Sequence, residues 1–165
     1  MSKTIHINPF DPASVANAVQ EVREYSKWVQ AKAKELAHRL ADMGAVLAAI
    51  EFSRVPYIGT KDVTVDVEQR GENTFAIVAS GETVLILEFG AGVTYGYGHP
   101  QADEFGMGPT TYPGQTHAED PNGWWIPKAA GGGHTYGNPP AMAMYLTGKE
   151  LADRVLEVAK EVFRS

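Results

Sequence analysis

Several histidines in the second half of the chain stand near carboxylates, the combination that binds zinc and similar metal ions. The groups are His99 with Asp103 and Glu104, then His117 with Glu119 and Asp120, followed by His134. A metal site needs its ligands held rigidly, and these spacings match no established signature such as His-Glu-x-x-His. Because the surrounding loops are rich in glycine, we expect exposed or hydrogen-bonded loop histidines here, with no metal or other cofactor.

Other catalytic chemistries have weaker support in the sequence. No Gly-x-Ser-x-Gly motif is present, so a serine nucleophile lacks its usual setting. Gly90-Ala91-Gly92 starts like a dinucleotide-binding turn, but the spacing fails because position 95 is a tyrosine. We therefore expect no catalytic residue and no enzymatic activity. The open alternative is a metal-dependent hydrolase using His99 and His117.

Aromatic side chains are the stronger functional signal of the same region. Six of them are candidates for a binding surface: Tyr95, Tyr97, Tyr112, Trp124, Trp125 and Tyr136. Tryptophan and tyrosine are enriched in protein–protein hot spots, so we expect a subunit interface. If Gly123–Pro127 is extended, one of Trp124 and Trp125 points inward and the other outward. A carbohydrate-binding module using these rings is the second alternative.

These aromatics belong to a segment, residues 90–140, with almost no helix or strand pattern. It carries 12 of the 17 glycines and 7 of the 10 prolines. Connections this long are usually functional or disordered, and disordered segments are poor in aromatics. We expect an extended arm or long hairpin that becomes ordered against its own core or a neighbouring subunit.

The flanking segments predict an α+β fold in one domain, residues 1–165. Asp11-Pro12 is a helix start, and apolar residues at steps of three and four continue a helix over 12–53. Alternating and apolar runs separated by short turns predict an antiparallel three-stranded meander over 61–89, with 84–89 as its last strand. A final amphipathic helix over 145–164 completes a sheet covered by two helices.

The long helix is itself informative. About 40 helical residues span roughly 60 Å, which is longer than a small domain is wide. Part of this helix must therefore leave its own domain, bend, or pack on a neighbour.

Composition excludes several classes of function. The chain has a net charge of −6 and no cluster among its 14 lysines and arginines, which argues against sequence-specific binding of nucleic acid. It has no cysteine, so it forms no disulfide. No segment has the length and apolar character of a signal peptide or a membrane span. We expect a soluble product made in the cytoplasm.

Three blocks of sequence resemble a family of tailed-phage proteins. They are Leu87–Val93, then Gly108–Gln115 with Gly123-Trp124-Trp125, and Pro140–Tyr145 before the last helix. Members of this family are encoded among head–tail joining genes and are called minor capsid, tail-component or tail-completion proteins. The resemblance covers most of the chain from about residue 12.

The resemblance implies a structural virion protein of a long-tailed phage, made in the host cytoplasm. It implies a ring in the neck, between the head connector and the tail tube, whose partners are itself and the adjoining neck and tail-tube proteins. The expected ring is sixfold, with twelve subunits as the alternative, and DNA passes through it. No catalytic residue is known in this family, so the resemblance implies none for this chain.

Overall fold

The structure, a computed structural model, describes residues 4–95, 98–107, 117 and 119–164. Helices and short antiparallel hairpins are its regular elements. In chain order they are α1 (Pro12–Arg54), β1 (Thr64–Gln69), β2 (Phe75–Ser80), α2 (Val84–Phe89), β3 (Trp124–Ile126), a 3-10 turn (Lys128–Ala130), β4 (Gly133–Thr135) and α3 (Ala143–Arg164). The predicted α+β class, with a long first helix and a long last helix, is confirmed.

Helix α1 begins and ends where local sequence signals place it. The Asp11 carboxylate accepts a hydrogen bond from the backbone N–H of Ala13 at 3.0 Å, and Pro12 occupies the first helical position. The helix ends at Arg54 because Val55 precedes Pro56 and is extended. The helix predicted over 12–53 is confirmed, with one further residue.

Strands β1 and β2 pair antiparallel, with Thr64 opposite Ser80 and Gln69 opposite Phe75. The third strand predicted for the meander is wrong, because Val84–Phe89 forms the short helix α2. A short run in which five of six residues are apolar does not distinguish a strand from a buried turn of helix by its pattern alone. The 61–89 segment is therefore a two-stranded hairpin followed by a helix.

Helix α3 packs antiparallel on α1 from Trp28 towards the C-terminal end of that helix. Near its start, Thr147 and Leu151 face Gly44 of α1, and near its end the ring of Phe163 lies 5.7 Å from that of Trp28. A Cβ at position 44 would lie 2.8 Å from Leu151 Cδ1, so glycine permits this close approach of the two helices. The helix predicted over 145–164 is confirmed and begins two residues earlier, at Ala143.

The core lies at the C-terminal end of α1, where all three helices meet. Phe52, Leu87, Ala141 and Ala143 form its buried centre, and partly buried residues of the β1–β2 hairpin pack against it. Four of the five buried residues of α1 lie between Ala41 and Phe52, and the other is Ala18. The first half of α1 is thus mostly outside the core.

The two ends of the 90–140 segment are held together. Ala91 and Asn138 form an antiparallel bridge through hydrogen bonds of 2.9 and 3.0 Å, and further along the segment β3 pairs with β4. Asn138 also donates a side-chain hydrogen bond to the carbonyl of Ile86 in α2. These contacts attach the described parts of the segment to the body of the protein. Its role as an arm that reaches a neighbour stays a prediction.

Candidate functional site

A groove opens beside the core, between the β3–β4 hairpin, the turn at residues 57–60 and the start of α2. Its volume is about 640 Å³, within the usual range of ~300–1,000 Å³ for ligand pockets. Apolar side chains dominate the lining, among them Tyr57, Ile58, Ile86, Trp124, Trp125 and Ile126. Ala130 lies near Gly59, so the hairpin and the 57–60 turn contact each other directly. We call this feature the aromatic groove.

Three rings stand in a row at the hairpin. The His134 ring lies 5.0 Å from Trp125 and 5.0 Å from Tyr136, at interplanar angles of 70° and 77°. Trp125 is 76% exposed and Tyr136 is 53% exposed, whereas Trp124 is half-buried. The predicted alternation of the two tryptophans is confirmed, and Trp125 is the outward-facing one.

The other candidate tyrosines have separate positions. Tyr95 is 40% exposed and borders a second, smaller depression together with Tyr57 and Ile58. Tyr97 and Tyr112 lie outside the described residues, as do Gly108–Gln115 of the second sequence block. Three of the six predicted aromatics, Trp124, Trp125 and Tyr136, therefore come together at the hairpin.

A buried carboxylate joins α2 to the start of α3. Glu88 accepts hydrogen bonds from the backbone N–H groups of Met144 at 3.0 Å and Tyr145 at 3.1 Å. These N–H groups lie in the first turn of α3, where the helix itself supplies no acceptor and a negative charge is favourable. Glu88 thus acts as a capping group from a distant part of the chain. No local sequence signal indicates this role.

His99 completes the cluster around Glu88. The backbone N–H of Gln101 donates to His99 Nδ1 at 3.1 Å, so in the neutral ring the proton is on Nε2, which lies 3.3 Å from Glu88 Oε1 and donates to it. Its ring also contacts those of Phe89 at 4.4 Å and Tyr145 at 5.6 Å. His99 is therefore buried, and its contacts stabilise the fold around Glu88.

The predicted histidine–carboxylate groups are not assembled as a metal site. Both ring nitrogens of His99 are engaged with protein atoms, while Asp103 and Glu104 are exposed. His117 lines the aromatic groove, and His134 lies between two aromatic rings. Among the residues that the structure describes, no three His, Asp or Glu side chains are grouped to hold a metal ion.

Asp62 organises the turn that precedes α2, at the edge of the groove. Its carboxylate accepts hydrogen bonds from the N–H of Thr83 at 3.0 Å, from the N–H of Glu82 and from the Thr83 hydroxyl. Three hydrogen bonds lower the pKa of the Asp62 carboxyl below its ordinary value of 3.8. The bond from the Thr83 hydroxyl has the largest effect, and the bonds from the two backbone N–H groups have smaller effects.

We expect replacement of Asp62 by asparagine to destabilise the protein in a pH-dependent way. A carboxyl whose pKa is lowered by folding contributes stability above its unfolded pKa, and this contribution disappears as the pH falls through the folded value. The stability difference between wild type and Asp62→Asn should therefore shrink when the pH drops from about 6 to about 3. Urea unfolding at both pH values measures it, with exposed Asp66→Asn as the control. If the stability difference between wild type and Asp62→Asn did not change with pH, the Asp62 carboxylate would not be the group that stabilises this turn.

The first turns of α1 form a second candidate surface. Helix α3 ends at Arg164, next to the contact between Phe163 and Trp28, so residues 12–27 extend beyond it. The apolar stripe of α1 continues along these turns with Val15, Val19, Val22 and Tyr25, which are 39%, 45%, 54% and 39% exposed. We call residues 12–27 the helix overhang. From the length of α1 we expected that part of the helix would leave its own domain, bend or pack on a neighbour. The sequence did not indicate which end this would be.

Comparison with known protein families, curated proteins and solved structures finds no match to this chain. Among the residues that the structure describes, no helix is both long enough and apolar enough to cross a membrane.

Proposed function

We propose that this chain is a structural subunit of the neck of a long-tailed phage, where copies of it form a ring that joins the head connector to the tail tube. The resemblance of three sequence blocks to tail-completion proteins supports this assignment. In this role the protein is part of the virion, and its partners are further copies of itself and the adjoining neck and tail-tube proteins. Six subunits match the sixfold tail.

The observation that carries the proposal is the partly exposed apolar stripe of the helix overhang. Beyond the contact of Trp28 with Phe163, the stripe continues through Val22, Val19 and Val15, which are 54%, 45% and 39% exposed, whereas Ala18 on the same turns is buried. Burying apolar surface contributes about 25 cal/mol per Å², so a partner that covers these side chains gains stability. A stripe of this kind along an extended helix is typical of a subunit interface.

The charge of the chain is compatible with a DNA passage. A net charge of −6 disfavours tight binding of phosphates, which requires concentrated lysine and arginine. In a ring through which DNA moves, weak binding of this kind keeps the passage free.

Replacement of Trp125 by alanine should weaken assembly. Trp125 is 76% exposed in the free subunit and so contributes little to its fold, whereas a tryptophan buried at an interface is often a hot spot. We expect a loss of about 2 kcal/mol of association energy, roughly a thirtyfold weaker interface, with soluble monomers and tailless heads. Negative-stain imaging of the purified protein and complementation of a phage lacking this subunit measure the two effects.

Leu156→Ala is the matched control, because Leu156 is 71% exposed on α3 and distant in sequence from the hairpin. It should leave rings and tails intact. Normal rings and infectious particles with Trp125→Ala would count against the hairpin as an interface. Wild-type protein that fails to restore tails in such a phage would remove the proposed function itself.

A carbohydrate-binding module is the second candidate, favoured by the exposed rings of Trp125 and Tyr136 beside a groove. The rings of Trp125 and Tyr136 are each nearly perpendicular to the ring of His134 between them, so the three rings do not form one flat platform for a sugar. A glycan screen read by tryptophan fluorescence distinguishes the two, because a subunit interface predicts no saturable response to sugars.

A further inference from the structure

The segment 99–107 folds into a series of turns against α2, and the ring of His99 attaches it there. We call residues 99–107 the His99 turn. The Nδ1 atom of His99 accepts a hydrogen bond from the backbone N–H of Gln101 at 3.1 Å, while Nε2 lies 3.3 Å from Glu88 Oε1 in α2. His99 and Glu88 are each only 5% exposed, so water has little access to either contact. One buried ring therefore links the backbone of the turn to α2 through both of its nitrogens.

The His99 turn covers an apolar cluster that is continuous with the aromatic groove. Phe89 and Ala102 are the buried members of this cluster, and Ile86 and Met107 pack against them. The Phe89 ring lies 4.4 Å from the ring of His99. Because Ile86 also lines the aromatic groove, the cluster under the turn and the wall of the groove share a side chain.

The two contacts of His99 require a neutral ring. A neutral imidazole has one N–H donor and one acceptor nitrogen, whereas an imidazolium has two donors and no acceptor. A second proton, on Nδ1, would face the N–H of Gln101 and replace a hydrogen bond by two opposed donors. Histidine is the side chain whose ordinary change of charge falls between about pH 5 and pH 8.

The charged and titratable groups of the two helices keep the ring on α2 when it becomes a cation. From α2, the Glu88 carboxylate attracts a cationic ring, and it is itself fixed by the N–H groups of Met144 and Tyr145. From α3, the Tyr145 ring lies 5.6 Å from that of His99, and Lys149 Nζ lies 5.7 Å from the centre of the Tyr145 ring. The contact that a second proton breaks is therefore the one with Gln101.

The turn itself contributes two exposed carboxylates, Asp103 and Glu104. Glu104 accepts a hydrogen bond from the side-chain amide of Gln101 at 3.0 Å. Carboxyl groups ordinarily titrate near pH 4 and imidazoles near pH 6.5, so a response above about pH 5.5 distinguishes the two kinds of group.

We propose that His99 is a pH-sensitive switch, which holds the His99 turn closed on α2 when its ring is neutral and releases the turn when the ring is protonated. The proton binds to Nδ1, the N–H of Gln101 loses its acceptor, and the ring stays with Glu88 as an ion pair. Opening of the turn uncovers Phe89 and removes part of the packing around Ile86 in the groove wall. This inference does not depend on the proposed function.

Nuclear magnetic resonance of the full-length protein between about pH 8 and pH 5.5 tests the switch. The nitrogen-15 shifts of the His99 ring report when Nδ1 takes up its proton. Amide exchange, compared with that of an unstructured peptide at the same pH, reports opening of the turn. As the ring titrates, the protection of the Gln101 and Met107 amides should fall by roughly tenfold, the effect of one lost hydrogen bond. The amides of Met144 and Tyr145 should keep their protection, because Glu88 still accepts from them.

The variant His99→Asn provides a comparison that does not titrate. The asparagine side-chain oxygen can accept from the N–H of Gln101 as Nδ1 does, and it gains no proton in this pH range. The protection of the Gln101 amide should then be independent of pH. His6→Asn, which removes an exposed histidine outside the turn, is the matched control and should keep the wild-type response.

Three outcomes for the wild-type protein would overturn the inference, so it stays testable even if His99→Asn does not fold. A His99 ring that stays neutral down to pH 5.5 would mean that the switch does not operate. A ring that titrates while the protection of Gln101 stays constant would mean that the turn does not respond. Loss of protection at Met144 and Tyr145 together with Gln101 would mean that protonation opens the Glu88 anchor instead. In a folded His99→Asn, a persisting pH response would assign it to another group and overturn the inference as well.

Discussion

Replacing Glu88 by alanine should lower the free energy of unfolding by about 3 kcal/mol, one of the largest effects of any single substitution in this protein. The carboxylate accepts hydrogen bonds from the N–H groups of Met144 and Tyr145 and from His99, and it is buried. Alanine leaves those N–H groups without an acceptor inside the protein and leaves a cavity beside them. The side-chain hydrogen bonds between α2 and the first turn of α3 are lost with them, while Leu87 and Ala143 keep their places in the shared core.

Thermal and urea unfolding measure this effect. For a domain of this size, 1 kcal/mol shifts the melting temperature by about 2–4 °C, so Glu88→Ala should melt roughly 6–12 °C lower. Glu88→Gln keeps the shape and one acceptor oxygen, and its loss should be intermediate. Glu157→Ala, an exposed position on α3, is the control and should change stability by less than about 0.5 kcal/mol. A loss below 1 kcal/mol for Glu88→Ala would mean that this carboxylate does not anchor α3.

Replacing Gly137 by alanine should destabilise the protein by about 2–4 kcal/mol. Gly137 has a φ of 102°, which side-chain-bearing residues rarely adopt, and a Cβ there would overlap the carbonyl of Ala91. Ala91 and Asn138 form the bridge that holds the two ends of the 90–140 segment together. The substitution should therefore separate the ends of this segment and distort the aromatic groove.

Gly148→Ala provides the matched control for this prediction. Gly148 lies in α3, and a Cβ there would meet nothing within 4 Å. Alanine at an exposed helical position should stabilise the protein by about 0.5–1 kcal/mol. The two glycine-to-alanine changes should thus have opposite signs in urea unfolding. Limited proteolysis should also cut 90–140 faster in Gly137→Ala, and an unchanged cleavage rate would argue against the bridge as the anchor of the segment.

The two long helices were predictable because their signals are local. Asp11 and Pro12 lie next to the helix start, and Pro56 sets the end through the conformation of the residue before it. The apolar residues of α3 recur with the helical period, and this pattern predicts which side of the helix is buried. The start of α3 was predicted two residues too late, because the acceptor that caps the helix near Ala143, Glu88, comes from another element.

The short helix α2 illustrates where pattern alone fails. Its six residues are apolar at most positions and follow a turn, so they satisfy the criteria for a strand. The helical state depends on Asp62, which holds the preceding turn from 20 residues away, and on Gly90, which ends the helix with a φ of 80°. Because residues 84–89 were predicted as a strand, the predicted sheet had three strands, whereas β1 and β2 form a sheet of two.

The sequence alone determined the α+β class, the bounds of α1, the presence of α3 and the outward or inward alternation of Trp124 and Trp125, because each follows from neighbours within a few residues. Only the tertiary structure decided that Glu88 and His99 form a buried anchor and that the hairpin and the 57–60 turn enclose a groove. Glu88 meets its partners 11, 56 and 57 residues away. Contacts over such separations depend on how whole elements pack, which periodicity and spacing do not encode.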